Sequence, residues 1–174
     1  MPLQRIVAML QTCTSGAPLF PPALLLHNEG WLLRLALDWF ARHDVPGHPL
    51  AVPPGARWFS EGLLPTAFGA RYRGDPLAEA WTHADGSVGH FAIGREGRTD
   101  LWLEPDATHL VVLEAKLFSP LSAGVSNAPY FDQAARSVAC LAEALRRAGR
   151  RPSQMSRLGF YVLAPRSQAG QAAL

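Results

Sequence analysis

The stretch His109-Leu-Val-Val-Leu-Glu-Ala-Lys-Leu117 decides how this chain folds. Its apolar residues fill both alternating sets, with Val111, Leu113, Ala115 and Leu117 on one side and Leu110 and Val112 on the other. A run apolar on both sides predicts a strand with both faces covered. Two charges interrupt it, Glu114 and Lys116, spaced so that they share a face. Lys116 is the only lysine among the 16 basic residues of the 174-residue chain; all the others are arginine. Arginine thus meets the general need for positive charge. A lone ammonium, compact and with a movable pKa, marks a chemical task.

Working outward, Thr99–Glu104 reads as a strand and Pro105–Thr108 as the turn that leads into the decisive stretch. A loop rich in Ser, Gly, Pro and Asn follows, from Ser119 to Pro129. Phe131, Ala135, Val138, Ala142 and Leu145 then recur at helical spacing, and Gly149 stops the helix predicted over Tyr130–Ala148. Leu158–Ala164 is a last buried strand. A helix between two strands is a crossover, so His109–Leu117 and Leu158–Ala164 should run parallel. Upstream, residues 3–12 suggest a short helix and Asn28–His43 a longer one with Glu29 in its first turn. Ser60 reads as the cap of a short helix, Glu61–Phe68. Asp85-Gly86 reads as the hairpin turn between strands Glu79–His83 and Val88–Ile93. His83, Asp85 and His90 flank this hairpin and suit either a His/Asp metal site or, the favoured reading, ordinary half-buried strand histidines beside a turn aspartate. The expected architecture is one α/β domain over residues 1–174, with a helical N-terminal part (1–75) and a mixed-sheet core with its crossover helix (76–165).

Composition agrees with that frame. At 48% hydrophobic and 17% charged residues, the chain can bury about 70% of its unfolded surface in one core. A net charge of +2 permits contact with a polyanion without demanding it. Cys13 and Cys140 are too far apart in sequence for a metal pair and suggest a reducing compartment. No apolar run approaches the length needed to span a bilayer, and the first residues are too short and interrupted for a signal peptide. The expectation is a cytoplasmic protein with no membrane partner.

A hairpin turn centred on Ala107 would set Asp100 directly opposite Glu114, on the face that also carries Lys116. That inference depends on register, since a slip of one residue separates the groups. Two carboxylates so close are costly to ionise together unless a cation joins them. A hard divalent ion does so, Mg²⁺ with Mn²⁺ as a substitute, taking Asp100, Glu114 and the Ala115 carbonyl as ligands. With Lys116 beside it, the matching substrate is a phosphodiester. The rival readings are a non-catalytic interaction protein and a metal hydrolase of small phosphoesters. Arg146, Arg147, Arg150, Arg151 and Arg157 form a basic cluster that suits either a nucleic-acid backbone or a helix C-terminus.

Asp100 followed by Glu114-Ala115-Lys116, then a helix and a strand, resembles the PD-(D/E)xK nuclease superfamily with its restriction endonuclease-like fold. The resemblance spans about residues 28–165 by element order. It departs from the family pattern in lacking a proline before Asp100. It implies a restriction endonuclease-like core of order α-β-β-β-α-β with extra N-terminal helices. It also implies Mg²⁺-dependent hydrolysis of nucleic-acid phosphodiesters by a metal-activated water, DNA being favoured over RNA. Lys116, Asp100 and Glu114 would be the catalytic centre. Glu29 matches a glutamate that many members place on the helix before the sheet, and Gln133 a glutamine that some place on the helix after the third strand. Ser119, Ser122 and Asn127 form a polar loop suited to contacting phosphates. Oligomeric state is left open, a dimer included.

Overall fold

The computed structural model describes residues 2–12, 19–20, 28–79, 81–94, 99–116 and 132–166. Helices α1 (Pro2–Thr12) and α2 (Asn28–Arg42) come first, followed by strands β1 (Arg57–Leu64), β2 (Thr82–Gly89), β3 (Phe91–Ile93), β4 (Leu101–Leu103) and β5 (His109–Ala115). Helix α3 (Gln133–Arg147) and strand β6 (Arg157–Leu163) complete the order. Four strands form a mixed sheet in the order β1-β2-β5-β6, in which only the β5–β6 pair is parallel. This is an α/β arrangement, as expected, and α3 is the crossover that the parallel pair requires. Among the described residues no helix is long and apolar enough to cross a membrane.

Each face of the sheet carries its own apolar layer. On one face Leu33 and Leu37 of α2 pack with Trp58, Val88, Val111 and Leu113. On the other, Cys140, Leu141, Ala144 and Leu145 of α3 pack with Phe59, Ala84, Leu110 and Val112. Strand β5 lies between the two and is buried along its whole length, which accounts for its doubly apolar sequence. The start of α3 is fixed by Asp132, whose carboxylate accepts the Ala135 N–H at 2.7 Å, the usual service of an N-cap.

Three expectations fail, all in the first half of the sheet. Ser60 does not cap a helix: Glu61 lies inside β1, so the part of the chain expected to be helical supplies an edge strand. Asp85-Gly86 is no turn but the middle of β2. Glycine is needed there for a different reason. A Cβ on Gly86 would stand 2.8 Å from Leu33 Cδ2 and 3.2 Å from Leu37 Cδ1, so its absence lets α2 lie close on the sheet. Finally, Thr99–Glu104 does not pair with β5. Its core, β4, pairs with β3 in a separate two-stranded sheet, and Asp100 bridges to Leu63 of β1.

The β1–β2 ribbon has one more property. Trp58 and Val88 are cross-strand partners in the α2 layer, as are Ser60 and Gly86 on the same face. Strict alternation would keep Leu64 and Ala84 there too, yet both belong to the α3 layer, and Thr82 hydrogen-bonds Cys140 of α3. The two strands therefore exchange faces together. The exchange falls on the rung of Glu61 and Asp85, between the pairs Ser60–Gly86 and Gly62–Ala84. Glu61 has φ of +62°, a left-handed conformation that non-glycine residues adopt at a cost and that concentrates at functional sites.

Candidate active site

Beyond Gly86–Leu113 the β2–β5 ladder stops, although both strands continue. The Asp85 carboxylate bridges the gap. Its Oδ2 accepts the Ala115 N–H at 2.8 Å, a bond a neighbouring strand would otherwise supply. The same side chain is near enough to Glu114 for each carboxyl to act on the other's protonation. Glu114, only 3% exposed, is held from two other directions. Lys116 Nζ lies 2.8 Å from its Oε1, and Gln133, the first residue of α3, donates to the same oxygen.

The second acid of the centre is thus Asp85, not Asp100. Asp100 is 2% exposed and accepts a hydrogen bond from Trp102 Nε1. It lies outside β1, in a small cavity of about 180 Å³ with Trp102 and Arg147. At about 4.8 Å per strand spacing, the three gaps from Asp100 through β1 and β2 to β5 amount to about 14 Å. The turn arithmetic around Ala107 fails because chain neighbours β4 and β5 are not sheet neighbours.

The other expected residues divide cleanly. Glu114, Lys116 and Gln133 meet, and Glu29, half-buried in the first turn of α2, acts electrostatically on both Asp85 and Lys116. Ala115 joins through its N–H. Ser119, Ser122 and Asn127 lie outside the described residues. Arg146 and Arg147 both pair with Glu143 at the end of α3.

Glu61 was not anticipated. On the rung shared with Asp85, it lies 3.8 Å from the fully buried Arg34 guanidinium, which also hydrogen-bonds Ser60 and stacks over Phe20. A buried arginine beside Glu61 supplies a fixed positive charge there. The only sequence signals were the arginine on an otherwise apolar helix face and a glutamate beside Trp58-Phe59-Ser60.

Burial dominates the electrostatics. It raises the pKa of Asp85, which the Ala115 N–H and Lys116 partly oppose. It raises that of Glu114, with repulsion from Asp85 adding to it and Lys116 and Gln133 opposing. Two carboxyl groups so near one another disfavour each other's ionisation. Lys116 is raised too, but against its burial. Burial alone would lower its pKa, but the Glu114 hydrogen bond and the charges of Glu114, Asp85 and Glu29 prevail and raise it. At neutral pH it is a cation and a donor, not a proton acceptor.

Glu61 gives this cluster a measurable signature. Burial, then Asp85 and Glu114 against the opposing Arg34, pushes its pKa from 4.5 to about 7. Between those values the folded state binds more protons than the unfolded chain, so stability falls as pH rises from about 4.5 through about 7. The full difference corresponds to at most about 3 kcal/mol. In EDTA, the urea midpoint of the wild type should fall more between pH 5 and pH 8 than that of Glu61→Gln. Equal falls would show that this carboxyl does not contribute.

No protein-family model matches the chain, and no curated protein or solved structure does either. Among the described residues no three or more His, Cys, Asp or Glu side chains form a ready-made metal cage.

Proposed function

We propose that the protein is a metal-dependent nuclease of the PD-(D/E)xK type, with Asp85, Glu114 and Lys116 as its central residues and DNA ahead of RNA as substrate. The observation that carries this reading is the Asp85–Glu114 carboxyl pair, Glu114 buried and Asp85 half-buried, repelling each other and flanked by the only lysine. A divalent cation joining these two groups would offset their repulsion. Mg²⁺ is commonly held by one or two carboxylates, with waters and substrate oxygens completing the shell, so a larger protein cage is not required. Asp85, Glu114 and the Ala115 carbonyl would hold the ion. The order α2-β1-β2-β5-α3-β6 supports a restriction endonuclease-like core, with β3–β4 as an insertion and α1 as an addition.

When bound, the ion supplies Lewis-acid polarisation of the phosphoryl group and a lowered pKa for the attacking water. The chain's own residues do the rest. Lys116 donates to the oxygen on which negative charge develops, and its raised pKa keeps it charged for that task. Gln133 fixes one oxygen of Glu114 and thereby its orientation. Arg34 offsets part of the charge of Glu61, in a buried place where solvent screens little.

The test is incubation of the purified chain with single- and double-stranded DNA and RNA in Mg²⁺ or Mn²⁺, with Ca²⁺ thermal shifts as a second readout. Cleavage should require the metal, stop in EDTA and vanish in Glu114→Gln. Ca²⁺ should raise the melting temperature of the wild type and not of that variant. Cleavage that persists in EDTA, or no cleavage of any nucleic acid, would sink the reading.

A further inference from the structure

The two edges of the four-stranded sheet differ. The β1 edge is covered: the Ser60 N–H donates to the Leu19 carbonyl, the Leu63 N–H donates to the Thr99 carbonyl, and Asp100 bridges to Leu63. The β6 edge is bare. In the parallel ladder the Arg157 N–H donates to the Thr108 carbonyl, and the Leu163 carbonyl accepts the Lys116 N–H at 2.9 Å. These two bonds fix the alternation, so Arg157, Gly159, Tyr161 and Leu163 turn their main-chain groups toward β5. Leu158, Phe160 and Val162 turn theirs outward, where no main-chain partner meets them among the described residues.

A free edge is ordinarily guarded by a charge, a proline or a bulge. This one has no such guard. The run from Leu158 is Leu-Gly-Phe-Tyr-Val-Leu-Ala164, and its register with β5 is unbroken to Leu163. Tyr161 and Val162 are 37% and 38% exposed. An unguarded apolar edge is a template for a further strand. The run's own symmetry indicates which strand fits. About Phe160, Leu158 is balanced by Val162, apolar by apolar, and Gly159 by Tyr161, small by large.

We propose that the protein forms a two-fold dimer in which β6 pairs with β6 of a second copy, antiparallel and centred on Phe160. Phe160 then faces its own counterpart, and Leu158 of each copy faces Val162 of the other. These are the residues whose main-chain groups point outward, so each pair exchanges two hydrogen bonds. On the opposite face Gly159 meets Tyr161. A Cβ on Gly159 would stand 2.8 Å from Tyr161 Cε2, so the glycine lets the ring lie along its own strand instead of across the edge. Centring on Tyr161 would set two rings against each other, and centring on Gly159 would leave a gap. The pairing consumes the bare edge of both copies, and the β1 edges are covered, so assembly stops at two. A single edge pairing belongs to the small class of interfaces, under about 1,200 Å², so the dimer is weak and depends on concentration. This inference does not rest on the nuclease reading.

Sedimentation velocity of the full chain from about 1 μM to about 500 μM, the range suited to a small interface, should show monomer passing to dimer and no larger species. Val162→Lys puts a charge on the edge at an exposed position, and Val162→Pro removes an N–H that the β5–β6 ladder does not use. Each should weaken association about tenfold or more, and thermal melts at low concentration check that the variants fold. Amide hydrogen exchange of the wild type locates the contact without any substitution. Leu158, Phe160 and Val162 should gain protection as concentration rises, whereas Gly159 and Tyr161, already bonded to β5, should not. A chain that stays monomeric at the highest concentration overturns the proposal. So does a dimer that neither folded variant weakens, or one that leaves those three amides unprotected.

Discussion

Asp85→Asn should reduce metal-dependent cleavage by about 100-fold or more, whereas Asp100→Ala should leave cleavage within a few-fold of wild type and lower the melting temperature. Asparagine at position 85 keeps the shape of the side chain and can still accept the Ala115 N–H that Asp85 now holds. What it loses is the charge next to Glu114, and losses of about 10²–10³ are usual when one group that stabilises developing charge is removed. Alanine at position 100 removes the acceptor of the half-buried Trp102 indole N–H, a loss of about 1 kcal/mol. Cleavage rates and thermal melts of both variants make the comparison. An inactive but folded Asp100→Ala beside an active Asp85→Asn would reverse the assignment.

Lys116→Met should cost about 10²–10⁴ in cleavage rate while metal-induced stabilisation is retained. The estimate is that for one positioned group acting in the transition state. Methionine keeps most of the stem, and the side chain is 17% exposed, so the fold should tolerate the change. The sharper variant is Lys116→Arg. It preserves charge, yet the planar guanidinium cannot put a point donor 2.8 Å from Glu114 Oε1 without displacing Gln133 from the same oxygen. It should remain at least about tenfold impaired. Full activity in Lys116→Arg would mean that position 116 supplies only general positive potential.

The elements legible in the sequence are those whose evidence is local. The double apolar pattern of Leu110–Ala115, the helical spacing from Ala135 to Leu145 and the stop at Gly149 each draw on neighbours within a few residues. The parallel β5–β6 pair followed from them by topology alone. What escaped was set by distant partners. Ser60-Glu61 has the local chemistry of a helix start, but Arg34, 26 residues earlier, binds the serine and faces the glutamate. Asp85-Gly86 has the local chemistry of a tight turn, but Leu33 needs the space that the glycine leaves. The carboxylate thus assigned to a turn is the one that reaches Glu114. A turn centred on Ala107 would set Asp100 opposite Glu114, but sequence proximity does not decide sheet order once β3–β4 is inserted.

The exchange of faces along β1 and β2 leaves the acids in a seam that belongs to neither apolar layer. Each layer can therefore be repacked without moving the charged groups, provided that Glu61, Asp85 and Gly86 keep their rung. A saturation scan should accordingly find two broad tolerant regions divided by a narrow intolerant band. Such a division would let a lineage alter its stability and its chemistry on separate schedules, and would leave little else in the sequence fixed.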